Sequence, residues 1–125
     1  MVKSIISALV VVAILITGMI FESIFVKNQF AQAHEATTIV YEKTLNQTAT
    51  EDDVYNLQNL WLNKKEYLHI FIPHNEIKEV DLWLSECVKL VKDKEWTDAI
   101  TKLEVLRELF EQIPKTFRPS IENIL

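Results

Sequence analysis

Residues Ile5 to Phe21 hold no charged side chain, and only Ser7, Thr17 and Gly18 interrupt the apolar run. A helix rises about 1.5 Å per residue, so this run with its flanks can cross a hydrocarbon core of about 30 Å. A soluble domain of this size has nothing with which to surround such a helix on every face. The run therefore predicts an N-terminal transmembrane helix within residues 1–22 and an extracytoplasmic helical domain over residues 23–125. A cleaved signal peptide fits less well. The run is longer than the usual apolar region of one, and the nearest small-x-small triplet, Ala31-Gln32-Ala33, lies well beyond it, past Glu22 and Lys27. The expectation is an uncleaved signal anchor. No cysteine directly follows the run, which excludes a lipid-modified anchor.

Orientation follows from the flanks. Lys3 and the α-amino group sit on a very short N-terminal tail, and the other flank offers only Lys27 within reach. Basic residues are retained on the cytoplasmic side, so the N-terminus is expected in the cytoplasm and the domain outside, at a cell membrane.

The rest of the chain reads as all-α. Gly18 is the single glycine, and the three prolines are Pro73, Pro114 and Pro119. So little Gly and Pro argues against hairpin-rich β folds, which need turn residues. All of the acidic side chains and every basic one but Lys3 lie beyond Phe21, so the acidic excess behind the chain's formal net charge of −5 lies entirely in the domain. The charges alternate in sign and form no basic stripe, which excludes a nucleic-acid partner.

Four helices are expected, packed as an antiparallel up-down bundle. The membrane helix continues without Pro or Gly to about Leu45, with Phe30, Ile39, Val40 and Leu45 loosely patterned along it. Asn46 to Thr50 breaks it, and Thr50 is a good N-cap ahead of Glu51, Asp52 and Asp53. The second helix runs from about Glu51 to about Ile70 with Val54, Leu57, Trp61, Leu68 and Phe71 near one face, and Pro73 stops it. His74 or Asn75 caps the third, whose core face holds Ile77, Val80, Leu84, Cys87, Val88 and Val91. Asp93-Lys94-Glu95 links to the fourth, with Trp96, Ala99, Ile100, Leu103, Leu106, Phe110 and Ile113 in one stripe and Pro114 as its end. A last turn is expected over Ile121 to Leu125. Short links make consecutive helices antiparallel. The corner at Ile70 to Asn75 and the C-terminus then return to the membrane-proximal end.

Two stretches carry a family resemblance: Ile70-Phe71-Ile72-Pro73-His74-Asn75-Glu76-Ile77, and Leu109-Phe110-Glu111-Gln112-Ile113-Pro114 with Ser120-Ile121-Glu122-Asn123-Ile124-Leu125. The chain resembles the bacterial domain-of-unknown-function family four-three-six-three, short single-pass membrane proteins of Gram-positive spore formers. The resemblance covers nearly the whole chain, anchor included. It implies a bacterial cell membrane and, from the genes that often neighbour such proteins, a multipass membrane partner. It implies no activity. At Pro73 the chain departs from the family, where an acid is frequent, and this weakens any pairing of a carboxylate with His74.

No catalytic constellation emerges. A nucleophile elbow, a phosphate-cradling glycine loop and a zinc-protease helix motif are all missing. With Gly18 as the only glycine, backbone-cradled cofactors are excluded. The chain is therefore expected to be a non-enzymatic interaction or accessory module without a cofactor, and the composition is equally compatible with a homo-oligomer. The alternative is an extracytoplasmic helical ligand-binding domain of the sensor type, disfavoured because one span offers no cytoplasmic output. His69, His74 and Glu76 form a weak metal alternative, since zinc sites want at least three protein ligands. Cys87 reads as a small buried apolar side chain, with an intermolecular disulfide as its sharper reading. Trp61, Trp83 and Trp96 read as core or boundary residues, and Lys64-Lys65-Glu66 as a solvated face. The expected interaction surface is the corner: Ile70, Phe71, Ile72, His74, Asn75 and Glu76. Three consecutive apolar side chains cannot all face one core, so at least one should point outward; the alternative is that the apolar tail Ile121 to Leu125 folds over the corner and covers it.

Overall fold

A computed structural model describes residues 1–117; the closing turn expected over Ile121 to Leu125 lies outside the described residues. Four α-helices and no strand make up these residues: α1 (Val2–Leu45), α2 (Glu51–Leu68), α3 (His74–Lys92) and α4 (Trp96–Thr116). Neighbours along the chain pack antiparallel, and α4 closes the ring against α1. The expected all-α up-down bundle is the fold observed.

The first helix is a single unbroken rod of 44 residues, and its two halves live in different surroundings. From Val2 to Phe21 almost every side chain is exposed, and no residue of its most apolar stretch is buried by the rest of the chain. From Glu22 onward a stripe at three- and four-residue steps turns inward: Glu22, Val26, Phe30, Ala33, Thr37, Val40 and Thr44. Two members of that stripe are threonines. Their hydroxyls donate to the carbonyls of Ala33 and Val40, each at 2.7 Å, so they enter the core without an unmet donor. Ile39 and Leu45, by contrast, point outward.

At the centre Phe30 of α1, Trp61 of α2 and Phe110 of α4 meet as an aromatic trio, with ring centroids 5.3–6.3 Å apart. Val80, Leu84, Cys87, Leu103 and Leu106 fill the space around it. Trp61 also reaches the edge of the core, where its indole N–H donates to Asp81 at 2.8 Å. The other carboxylate oxygen of Asp81 pairs with Lys65 at 2.7 Å, which ties α2 to α3. Trp83 and Trp96 are boundary residues, partly buried against the core.

The links show how a chain nearly free of glycine turns. Thr50 caps α2 through a reciprocal box with Asp53: the hydroxyl accepts from the Asp53 N–H at 3.2 Å and the carboxylate accepts from the Thr50 N–H at 2.8 Å. Gln47 and Lys94 take left-handed φ values of 56° and 58° just past the ends of α1 and α3, where glycine is usual. Three expected boundaries shift. α2 stops at Leu68, well before Pro73, because the N–H groups of Phe71 and Ile72 both fold back onto the Leu68 carbonyl at 2.9 Å. Pro73 is instead the entry residue of α3, and neither His74 nor Asn75 caps it; both are helical. α4 does not end at Pro114 but runs on to Thr116. A proline in the last turn costs one backbone bond, and little helix remains beyond it to disrupt.

Candidate functional site

The corner between α2 and α3 packs against α1 just past its apolar half. Phe71 stands edge-on to Phe25 with centroids 6.0 Å apart, and edge-on to Phe117, at the end of α4, at 6.5 Å. The corner and the end of α4 thus meet beside the first turn of α1 that follows the apolar run. The three consecutive apolar residues divide as steric logic demands: Ile72 is buried, Phe71 half-buried and Ile70 66% exposed. Ile72 is therefore part of the core and cannot belong to a contact surface, contrary to expectation. His74 and Asn75 are exposed, and Glu76 is half-buried.

An open cavity of about 540 Å³ lies at this corner, lined by Ile70 to Pro73, Glu76, Thr116 and Phe117. Burial pushes the Glu76 carboxyl above its ordinary range, and the neighbouring Glu79 adds to the shift. A second open groove, of about 600 Å³, runs between α2 and α3 past Leu62, His69, His74 and Ile77, with the Lys65–Asp81 pair on its wall. His69 Nδ1 lies 3.1 Å from the Lys65 carbonyl oxygen. The two histidines therefore share the α2–α3 groove, while Glu76 opens to the corner cavity on the other side. The three weak candidate metal ligands do not converge, and no group of three such side chains is placed to hold a metal among the described residues.

Two charged side chains, Lys64 and Glu22, sit where a hydropathy reading does not put them. Lys64, expected on a solvated face, is buried between α2 and α1. Its ammonium donates to the amide oxygens of Gln29 at 2.8 Å and Gln32 at 2.6 Å, and burial lowers its pKa. The sequence carries a faint signal for this: Gln29 and Gln32 lie one turn apart, so both reach a single partner on the facing helix. Glu22, the first charged residue after the apolar run, is 6% exposed, and its Oε1 has no hydrogen-bond partner among the described residues. Cys87 is fully buried, and burial pushes its thiol up to about 12. Its bland reading is the one observed, and an intermolecular disulfide has no access to it.

Fold and surroundings define a class: an all-α four-helix bundle whose first helix extends, bare and apolar, well beyond the bundle. Among the described residues one helix is long and apolar enough to cross a membrane, with a mean hydropathy of 2.7 over its most apolar stretch. The chain belongs to the family described as Domain of unknown function (DUF4363), which it matches over residues 26–124. The match begins in the bundle half of α1. No curated protein and no solved structure gives a significant match.

Proposed function

We propose that the chain is a non-enzymatic interaction module, held at a cell membrane by the first half of α1 and displaying its bundle on the extracytoplasmic side. The observation that carries this reading is the continuity of α1, whose bare apolar half joins the bundle without a break. A helix apolar on all faces and covered by nothing is stable in lipid, not in water. The bundle also argues for an uncleaved anchor. Cleavage after Ala33 would remove Val26, Phe30 and Ala33 from the core, together with one ring of the aromatic trio. The orientation rests on Lys3 and the short N-terminal tail.

A partner embedded in the same membrane would meet the exposed part of the corner, His74 and Asn75, with Glu76 beside them. Recovery of the tagged chain from detergent-solubilised membranes tests this. The expected result is a multipass membrane protein recovered with the wild type and lost from a His74→Ala, Asn75→Ala variant that keeps its melting temperature. A pure monomer carrying a small molecule would instead favour the sensor-like alternative, with the α2–α3 groove as its site. Orientation is read separately. An impermeant thiol reagent should label Asn46→Cys in intact cells, in a Cys87→Ala background, and labelling only after lysis would reverse the topology.

A further inference from the structure

The residues around the end of the apolar run sort by polarity in an unusual way. Glu22 is turned into the bundle, whereas Phe21 and Ile24 on the outward faces are 71% and 55% exposed. At the same level the corner offers Ile70, 66% exposed, next to the Phe71 ring that packs on Phe25. Phe25 fixes that level, since Phe71 and, through it, Phe117 are stacked against it. The opposite end of the bundle is polar at its links: Asn46, Gln47, Thr48 and Thr50 on one, Asp93, Lys94 and Glu95 on the other.

Depth along α1 decides what meets these apolar groups. Phe25 is four residues beyond Phe21, which is about 6 Å along a helix axis. The headgroup layer on each side of a hydrocarbon core is about 5–8 Å thick. A corner stacked on Phe25 therefore falls inside that layer. Aromatic and aliphatic side chains flanked by polar backbone suit this zone, where one part of a residue is dry and the other wet.

We infer that the bundle does not stand clear of the membrane but rests on it, with Ile70 seated in the headgroup layer of the bilayer. This rests on the reading of the first half of α1 as a membrane span. The contact gives the bundle a second point of attachment beside α1, so the rod and the corner together fix its tilt on the lipid surface. It also gives a use to the one strongly exposed member of the Ile70–Ile72 triplet, which would otherwise offer bare apolar area to water.

The full chain, reconstituted in phosphatidylcholine vesicles in a Cys87→Ala background, allows the test. An environment-sensitive fluorophore is placed singly at Ile70→Cys, at Asn46→Cys on the far end, and at Ile14→Cys within the apolar run. Nitroxides are carried on the lipid either near the headgroup or deep in the acyl chain. The expected pattern is loss of emission at Ile70→Cys with the shallow nitroxide, loss at Ile14→Cys with the deep one, and none at Asn46→Cys. Quenching at Ile14→Cys without quenching at Ile70→Cys overturns the inference and leaves the anchor standing. Blue-shifted corner emission without lipid quenching overturns it too, because protein rather than lipid then covers the corner. Absence of quenching at Ile14→Cys removes the anchor and the inference together.

Discussion

The two halves of α1 are one helix built under two sets of rules. From Ile5 to Phe21 the side chains are apolar on every face and touch almost nothing else in the chain. From Glu22 to Leu45 only a narrow stripe is buried, and that stripe tolerates Ala33, Thr37 and Thr44 because α2 and α4 close over it. Hydropathy is high where the protein buries nothing and modest where it buries most. The difference teaches that apolar content reports the solvent a helix meets, whereas packing depends on spacing and on whether each buried polar group finds a partner.

The sharpest way to break this contrast is to truncate one side chain in each half. Phe30→Ala removes a ring of the central trio and should cost the bundle about 3–5 kcal/mol. Ile14→Ala, in the uncovered half, should leave the bundle's melting transition in detergent unchanged. Leu103→Ala on α4 belongs with Phe30→Ala, at about 2–5 kcal/mol, because it is equally buried. For a domain of this size either loss is a large share of the total stability. Equal melting shifts in the two halves of α1 would mean that the apolar run also packs against the bundle.

A second test uses chemistry. Cys87 is sealed in the core, and its thiol is held protonated up to about 12, mainly by burial. It should resist a thiol reagent in the native chain and react at once after unfolding, whereas a cysteine placed at exposed Ile39 on the bundle half of α1 should react in both states. The linkage has a definite sign. Above the ordinary thiol value of 9.0 the unfolded chain gives up this proton and the folded chain keeps it, so stability falls as pH rises from there toward 12. A Cys87→Ala variant should lose that alkaline slope, which a pH series of denaturant midpoints would reveal.

Much of the fold was legible because regular periods and caps speak plainly. Thr50 and its three acids announced α2, and the stripes of α3 and α4 were read almost residue for residue, with Val88, Ile100 and Trp96 lying at the edge rather than inside. What stayed hidden has physical causes. The stripe on α1 was masked by Thr37 and Thr44, which look solvated until their hydroxyls are seen to bond within the helix. Lys64 looks like surface because its partners, Gln29 and Gln32, lie on another helix. Pro114 reads as a stop, since its effect depends on how much helix follows it. At the candidate site the corner was found from three apolar residues in a row, but which of them faces inward depends on the backbone folding back at Leu68. That detail is tertiary and leaves no trace in the pattern.

The start of α2 sharpens the comparison on its distal side. Thr50→Ala removes the hydroxyl that accepts from Asp53 and should cost about 1 kcal/mol. Asp53 is held below the usual carboxylate range, first by the Thr50 backbone N–H and then by the Lys43 ammonium at 2.9 Å, against an opposing effect of burial. A depressed carboxylate stabilises the fold above its unfolded value and loses that contribution as pH falls through the folded one. Asp53→Asn removes that titration, so the variant should show a shallower acid limb, which titration of the denaturant midpoint would detect; an unchanged limb would mean that other carboxylates set it.

The smallest expected effect lies at the junction of the two halves. Glu22 closes the apolar run and opens the buried stripe, and its Oε1 is buried without a hydrogen-bond partner among the described residues. A buried acceptor left unmet forfeits the water it gave up, so an apolar side chain of similar length should fit the site better. Glu22→Met is expected to raise the stability of the bundle by about 1 kcal/mol. Glu22→Gln removes the charge but leaves a polar amide in the same place, and should recover only part of that gain. Thermal melts of the full chain in detergent compare the three versions directly. If Glu22→Met melts lower than the wild type, the carboxylate has a partner that stabilises it, and the boundary between the two halves is held by a specific bond rather than by packing alone.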